Sequence, residues 1–263
     1  MKRVLMAIFH PRKTVLRFFE TVRLPETQNK VAADAQSFWS RSDKDHRLRD
    51  LSHWQGEGRW VHEESWRQIG RNHFKMFQQL CLLAERKEPV RSMVEWGPGG
   101  GANAVVFCAE VSEIYGVDIS AENLVECRRQ LDKSGVDPSL FRPVIINASK
   151  PDDCLKYITK PVDFFLSTAV YQHFPSKDYG VHVIKIAHSC LGTDGLALIQ
   201  TRFDDGSEVL RSKNRDYEKN AITFTSYKVE EFWRITEDVG FKPLSIILVP
   251  AACYAYYLLR KGE

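Results

Sequence analysis

The chain has 263 residues, of which 43% are hydrophobic and 27% are charged. These fractions are typical of a globular protein and exclude a disordered chain or a fibre, and the length is enough for one large domain or for an ordinary domain with an appendage. The formal net charge of +3 is too small for a protein that binds nucleic acid mainly through charge, so we expect no nucleic-acid partner.

Six cysteines are scattered along the chain, and no two of them form a CxxC pair. Their spacing predicts neither a disulfide scaffold nor a zinc site, and we expect no bound metal. A reducing cytoplasm is the simplest location for such a chain. The longest apolar stretch, 244–259, contains Pro250, so it predicts two buried strands with a turn and not a membrane span.

Residues 1–89 are rich in charge, His and Trp, and their apolar residues recur at helical spacing. We therefore predict a helical N-terminal extension over this range. Segment 12–23 has the pattern of a basic amphipathic helix, and two interpretations stay open for it. Either it packs on the core or on a second subunit, as in a homodimer, or it contacts a membrane surface peripherally. Segment 63–86 predicts a longer helix that leads into the first strand.

The pattern changes at residue 90, where short β-rich runs begin to alternate with helical stretches. Such alternation predicts βαβ units and a mostly parallel sheet. The predicted strands are 92–96, 113–119, 142–147, 162–167 and 195–202, and the predicted helices between them are 102–110, 120–134, 152–158 and 176–191.

The end of the chain differs, because helix 228–238 is followed by two apolar runs, 242–249 and 253–260, with three residues between them. So short a link forces an antiparallel hairpin. The predicted fold class is therefore α/β. It comprises a seven-stranded, doubly wound, Rossmann-like sheet, mostly parallel with an antiparallel C-terminal hairpin strand, plus the N-terminal helical extension.

The strongest motif is the run VEWGPGGGANA at 94–104, which follows an apolar strand and opens a helix. Glycines let the backbone turn sharply and let a ligand lie against it, and a helix N-terminus favours a polar ligand. Asp118 ends the next strand, where a carboxylate accepts hydrogen bonds from ribose hydroxyls. The pattern predicts a ribose-bearing cofactor. NAD stays open, because Gly97-x-Gly99-x-x-Ala102 also matches the dinucleotide fingerprint.

The glycines are preceded by an acid, and Glu95-x-Gly97-x-Gly99-x-Gly101 resembles the first motif of the class I S-adenosylmethionine-dependent methyltransferases. The run 162–176 is similar to that family's fourth strand and following loop, and the last helix and terminal hairpin are similar to its ending. The resemblance covers residues 90–263, which it implies to be the methyltransferase domain, and does not cover the N-terminal extension.

The resemblance implies S-adenosylmethionine as the cofactor, with Asp118 on the ribose and Ile119 against the adenine. The family often has an Asp at the end of its third strand to bind the adenine amine. Here that strand runs into Asn147, so the amide is expected in its place. The expected cofactor-binding residues are Glu95, Gly97, Pro98, Gly99, Gly101, Asp118, Ile119, Asn147, Ala148, Ser167 and Thr168.

Two residues of the loop after the fourth strand are catalytic candidates. His173 lies at the carboxyl edge of the sheet, where doubly wound folds bind ligands, and imidazole is a general base that titrates near neutral pH. The alternative interpretation is that His173 hydrogen-bonds backbone and only shapes the cofactor pocket. Tyr171 shares the loop and is a candidate to line the acceptor site.

The implied function is methyl transfer to a small molecule, with oxygen of a sugar, glycolipid or natural product as the expected acceptor. The extension over residues 1–89 is expected to cap the acceptor, and the polar segment 203–223 is a second candidate covering loop. Trp54, Trp66 and Arg202 are the expected acceptor contacts. Two other functions stay open: an NAD(P)-dependent oxidoreductase, and a non-catalytic cofactor-binding subunit of a partner protein.

Overall fold

The computed structural model describes residues 25–41 and 44–262, and the predicted basic helix 12–23 lies outside the described residues. Seven strands form one sheet in the order β3-β2-β1-β4-β5-β7-β6. The strands are β1 (Ser92–Trp96), β2 (Glu113–Asp118), β3 (Phe141–Ile145), β4 (Val162–Ser167), β5 (Leu191–Arg202), β6 (Phe241–Val249) and β7 (Tyr254–Lys261).

Strands β1 to β5 are mutually parallel, whereas β7 runs antiparallel to both of its neighbours, β5 and β6. The last strand therefore inserts between two earlier ones, through a 3₁₀ turn at Pro250–Ala252. The predicted fold class is confirmed. The central strand β4 is apolar throughout most of its length and almost wholly buried, as is usual for a strand between parallel neighbours with helices on both faces.

Helices cover the two faces of the sheet unequally. They are α1 (Gln28–Trp39), α2 (His46–Leu51), α3 (Glu63–Leu83), α4 (Ala104–Phe107), α5 (Ala121–Lys133), α6 (Lys177–Cys190), α7 (Tyr217–Asn220) and α8 (Val229–Val239). One face packs on α3, α4 and α5, and the other packs on α6 and α8. Within the described residues, no helix is both long and apolar enough to cross a membrane.

Helix α3 belongs to the same core as the sheet. Its buried residues Trp66, Phe77 and Leu80 lie in one cluster with the strand residues Met93 and Phe164. These positions follow the three- and four-residue spacing of one helix face, which is why the sequence places them on a common side. The division of the chain at residue 90 stays a prediction, and α3 is the part of the extension that packs on the sheet.

A separate small core joins two N-terminal helices to a polar segment that follows β5. It is built by α1 and α2 on one side and by residues 217–224 on the other. Its buried members are Val31, Ala35, Phe38, Leu48, Tyr217, Ala221 and Phe224. We call the described residues of 28–54 together with 217–224 the roof, because they lie over the carboxyl ends of the strands.

Several element bounds differ from those predicted. The predicted helix 102–110 is only the four-residue α4, because turns of the glycine loop continue to Asn103. The predicted helix 152–158 is a 3₁₀ helix over Pro151–Lys156. Helix α1 lies within the predicted helical extension but was not located individually, since three alanines among its apolar positions give little hydrophobic contrast.

Leu80 and Leu82, near the end of α3, provide a matched test of this packing. Leu80 is fully buried, whereas Leu82 is 78% exposed on the same helix. We expect Leu80→Ala to lower the free energy of unfolding by about 2–5 kcal/mol, through lost burial and a residual cavity, and Leu82→Ala to change it by less than about 0.5 kcal/mol. Chemical denaturation of both variants measures this, and equal losses would contradict the packing of α3.

Candidate functional site

A cavity lies beneath the roof, at the carboxyl ends of the first four strands. Its volume is about 920 Å³ with its open mouth included, which falls in the range of cofactor and small-molecule sites. Ligands of doubly wound sheets bind at this edge. We call it the main cavity, and its walls include Ala35, Trp39, Ser52, His53, Trp96, Gly97, Pro98, Gly99, Asn103, Asp118, Ile119, Asn123, Ile146, Ala148, Thr168, Ala169, Val170 and His173.

The glycine loop packs closely on the roof as well as on the cavity. Gly99 has a φ of +52°, and a Cβ built on it would lie 2.4 Å from the carbonyl oxygen of Ser52. The same oxygen accepts a hydrogen bond of 2.7 Å from the Gly100 amide. A side chain at Gly99 would therefore displace the roof, so part of the glycine requirement comes from the protein's own backbone.

Asp118 lies in the cavity wall at the end of β2, as the motif predicts. Its Oδ1 accepts from the Ser120 amide at 2.8 Å, and its Oδ2 accepts from the Asn123 side chain at 3.3 Å. Burial raises the pKa of Asp118 to about 6. Asn123 in turn accepts a 2.9 Å hydrogen bond from the indole of Trp54. Trp54, a predicted acceptor contact, is therefore held by Asn123 behind Asp118 and does not line the main cavity.

A glutamine of α1 hydrogen-bonds two residues of the main cavity wall. Gln36 donates from Nε2 to the carbonyl oxygen of Ile119 at 2.8 Å and accepts at Oε1 from the Ala148 amide at 2.7 Å. Ile119 and Ala148 line the cavity, whereas Asn147 is exposed and accepts from its neighbour Ser149 in a local turn. The structure thus places Ala148, not Asn147, at the cavity.

Glu95 is buried behind the glycine loop and heads a chain of polar contacts. Its Oε1 accepts a 2.9 Å hydrogen bond from Asn103, and its Oε2 has no partner. Burial raises the pKa of Glu95 to about 7. The Asn103 oxygen lies 2.8 Å from Nδ1 of His73, and an amide oxygen only accepts, so Nδ1 carries the proton. The other ring nitrogen then faces Tyr256 at 3.5 Å.

His173 stands in the wall of the main cavity with its orientation fixed by three contacts. Its Nδ1 donates to the carbonyl oxygen of Ala221 at 2.6 Å, which leaves Nε2 as the unprotonated acceptor. Tyr217 donates to the His173 carbonyl oxygen at 2.6 Å, and the ring of Trp39 lies 4.8 Å from the imidazole. Burial lowers the pKa of His173 to about 4. The imidazole is therefore neutral at physiological pH.

A second cavity joins the first at its open side. It lies between α3 and the face of β5, β7 and β6, where no helix of the described chain covers the sheet. We call it the side groove. Five residues line both the main cavity and the side groove, namely Leu51, His53, Ile69, Ala169 and His173. His173 therefore stands at the junction of the two spaces.

Several predicted residues do not reach the main cavity. Tyr171 is fully buried in the core, and Trp66 is buried with its indole donating to the His53 carbonyl oxygen at 2.6 Å. Neither residue lines either cavity. Ser167 and Gly101 are buried behind the loop, Gly101 against Cys127. Arg202 lines the side groove and not the main cavity.

Other cavity residues were missed by sequence reasoning. Ala35 and Trp39 lie on α1, whose weak periodicity hid the helix, as does Gln36, which hydrogen-bonds the cavity wall. Tyr217 is in the long polar segment. Asn103 stood inside the quoted motif, and its place two residues after Gly101 was the available signal. In the described part of the chain, no three His, Cys, Asp and Glu side chains are arranged to hold a metal ion.

Comparison of the sequence with protein families gives one match. Residues 66–246 match a family model described as a methyltransferase domain, which spans more than half of the chain. A search of curated protein sequences gives no match.

Comparison of the fold gives methyltransferase structures at low identity. Magnesium protoporphyrin IX methyltransferase from Synechocystis, solved with bound SAH (S-adenosylhomocysteine), is 13% identical, covering 88% of this chain and 99% of that chain with a TM-score of 0.61. An S-adenosylmethionine-dependent methyltransferase from Clostridium acetobutylicum is 13% identical, covering 72% and 90%, with a TM-score of 0.54. A putative methyltransferase from Bacillus halodurans is 12% identical, covering 71% and 100%, with a TM-score of 0.51. At these identities the likeness shows the fold.

Proposed function

We propose that this chain, which belongs to the methyltransferase domain family and is an S-adenosylmethionine-dependent enzyme, methylates an oxygen of a small molecule bound beside the main cavity. The family match removes the nicotinamide oxidoreductase and the non-catalytic subunit as leading interpretations. The acceptor classes proposed are those expected from the sequence: a sugar, a glycolipid or a natural product. The observation that carries this proposal is the junction of the two cavities at His173.

The main cavity has the chemistry that an adenosyl sulfonium needs. Asp118 presents a carboxylate in the cavity wall whose Oδ2 makes a long contact with Asn123, and a carboxylate at this position accepts from ribose hydroxyls. Ile119 and Ile146 give an apolar wall for adenine, and Gly97 and Gly99 bring the loop backbone into the cavity wall for the amino-acid tail. These residues fit the cofactor, whereas Glu95 acts from behind by holding Asn103.

When bound, S-adenosylmethionine supplies an electrophilic methyl group. The chain's task is to hold an acceptor oxygen in line with that group and to exclude water, and such positioning lowers a barrier by about 7–11 kcal/mol in favourable cases. The roof performs the exclusion, since Ala35 and Trp39 line the main cavity and Gln36 ties α1 to Ile119 in its wall. His173 Nε2 is oriented to take the proton of an acceptor hydroxyl at the junction.

Support from a similar protein is consistent with a small acceptor. The Synechocystis enzyme is named for magnesium protoporphyrin IX, a small molecule. The side groove of the present chain offers a place for such a molecule next to the main cavity, lined by residues of α3 and of the C-terminal hairpin. The proposal therefore assigns the cofactor to the main cavity and the acceptor to the groove.

Calorimetric titration tests the assignment of the cofactor. We expect S-adenosylmethionine and S-adenosylhomocysteine to bind with Kd on the order of micromolar, and NAD and NADP not to bind. Asp118→Asn should weaken both adenosyl compounds by at least about tenfold (about 1.4 kcal/mol), because an amide accepts from ribose hydroxyls through one oxygen only.

Asp132→Asn is the matched control, since Asp132 is an exposed residue of α5 away from the main cavity. Its binding should equal that of the wild type. Binding of a nicotinamide cofactor, or equal binding by wild type and Asp118→Asn, would contradict the assignment of the main cavity.

The role of His173 has a separate test, in which methyl-labelled S-adenosylmethionine and a panel of hydroxylated acceptors are used. His173→Asn keeps a donor for the Ala221 oxygen but removes the base, so we expect kcat to fall by about 10²–10⁴-fold with cofactor Kd unchanged. Because burial lowers the pKa of His173 to about 4, the base stays neutral as pH falls, and at saturating cofactor the loss of kcat through protonation of His173 should appear only as pH approaches that value.

His182 is an exposed residue of α6 that pairs with Asp152. The variant His182→Asn is the control. It should leave both kcat and the pH profile unchanged. A wild-type rate in His173→Asn would show instead that His173 only shapes the pocket.

A further inference from the structure

The side groove carries charge of one sign. Its volume is about 2340 Å³ with its open side included. Its walls contain three cationic residues, Arg59, Lys75 and Arg202, and among the described residues that line it there is no Asp or Glu. A cleft lined by one sign of charge concentrates ligands of the opposite sign. The charge of the groove therefore favours an anion.

Arg202 is the cation nearest to the reaction centre. It ends β5, lines the groove, and lies close enough to His173 for its charge to lower the pKa of that imidazole. Its guanidinium stacks on Tyr254 at 5.3 Å, and its Nε is buried without a hydrogen-bond partner. No carboxylate of the described chain forms an ion pair with it, whereas Arg59 is paired with Asp50. Arg202 is thus a fixed charge available to a ligand.

Two buried glutamines beside Arg202 also lack partners. Gln200 is 1% exposed, and its Oε1 accepts from the Ala169 amide at 3.1 Å while its Nε2 has no partner. Gln172 is 3% exposed, and its Nε2 lies 3.4 Å from Nε2 of His173 while its Oε1 has no partner. Buried polar groups are seldom left unpaired. The wall therefore lacks an acceptor for Gln200 and Arg202, and a donor for Gln172.

The groove also has apolar walls on two sides. Met76 and the exposed Leu82 and Leu83 of α3 face Ile247 and Tyr256 of the terminal hairpin. A groove with apolar side chains on both of these walls favours a ligand with an apolar body.

We propose that the side groove binds an amphipathic acid that carries a hydroxyl, with its anionic group at Arg202 and Gln200 and its apolar body between α3 and the terminal hairpin. This inference rests on the proposed function, because it assigns the acceptor of that reaction. The hydroxyl lies beside Gln172 at the junction with the main cavity and donates to Nε2 of His173, the base of that reaction. The ligand is a free small molecule.

A matched pair of fluorescent probes tests the charge requirement. 1-Anilinonaphthalene-8-sulfonate has an apolar aromatic body and an anionic group, and N-phenyl-1-naphthylamine has the same body without the charge. We expect the anionic probe to bind the wild type at least about tenfold more tightly than the neutral probe. Arg202→Met should remove that preference, weakening the anionic probe by about tenfold and the neutral one by less than about twofold.

Two further variants locate the site. Arg234→Met removes an exposed arginine of α8 on the opposite face of the sheet, and it should bind both probes as the wild type does. Ile247→Trp fills the groove and should weaken both probes. S-adenosylmethionine titration of each variant reports on the main cavity, which contains neither Arg202 nor Ile247, and should be unchanged.

The outcomes separate this inference from the proposed function. If S-adenosylmethionine binds but the two probes bind equally, or Arg202→Met leaves the preference intact, the amphipathic acid is wrong and the methyltransferase assignment stands. If S-adenosylmethionine does not bind the wild type, the proposed function itself fails. Vesicles of phosphatidylglycerol that bind in an Arg202-dependent way, with no response to the soluble anionic probe, would also overturn the proposal, since they would assign the groove to a membrane surface.

Discussion

The contact between the glycine loop and the backbone around Ser52 holds the roof against the carboxyl edge of the sheet. The Gly100 amide donates to the Ser52 oxygen, and Gly99 has no room for a side chain against that same oxygen. This close approach fixes the N-terminal helices over the carboxyl edge of the sheet. Without it, the main cavity would be an open cleft, because its upper wall comes from residues that precede the sheet.

His53 follows at once and has a φ of +57°, a left-handed conformation that is uncommon for a residue other than glycine. Its carbonyl oxygen accepts from the buried indole of Trp66 on α3, so the strained turn is held from both sides. Burial lowers the pKa of His53 to about 4. His53 is therefore a neutral residue at the junction, where it lines both the main cavity and the side groove.

Segment 217–224 of the roof orients His173. Tyr217 accepts from the indole of Trp39 and donates to the carbonyl oxygen of His173, and Ala221 accepts from the imidazole. Segments separated by well over a hundred residues thus fix one side chain. The orientation of His173 therefore depends on the packing of α1 against 217–224. Both segments belong to one small core.

How much the sequence predicts depends on whether the determinant is local. The sheet, the glycine loop and Asp118 were predictable, because alternating strands and a strand–loop–helix motif are encoded within short windows. Local pattern also pointed to His173, which lines the main cavity, and to two polar segments as candidate covers, and the roles of these residues stay predictions. It failed for α1, whose alanine-rich face has little hydrophobic contrast, and for Gln36, whose partners Ile119 and Ala148 lie more than eighty residues away.

The same distinction explains the residues that were assigned wrongly to a cavity wall. Trp66 and Tyr171 have the right residue types at plausible positions, but the sequence does not say which face of their element points to the core. Asn147 and Ala148 differ by one position at the end of β3, and alternation of side chains decides which of them faces the cavity. Arg202 was placed near the acceptor by its position at the end of β5, and the groove that it lines became visible only in three dimensions.

The central claim is that the cofactor lies between the glycine loop and the roof, and hydrogen–deuterium exchange with and without S-adenosylhomocysteine measures it most directly. If the account is right, the ligand slows amide exchange both in the glycine loop, 97–103, and in α1, 28–39, while α8, 229–239, on the opposite face exchanges unchanged. Slower exchange in the loop with α1 unaffected or faster would contradict it, because the roof would then take no part in holding the cofactor.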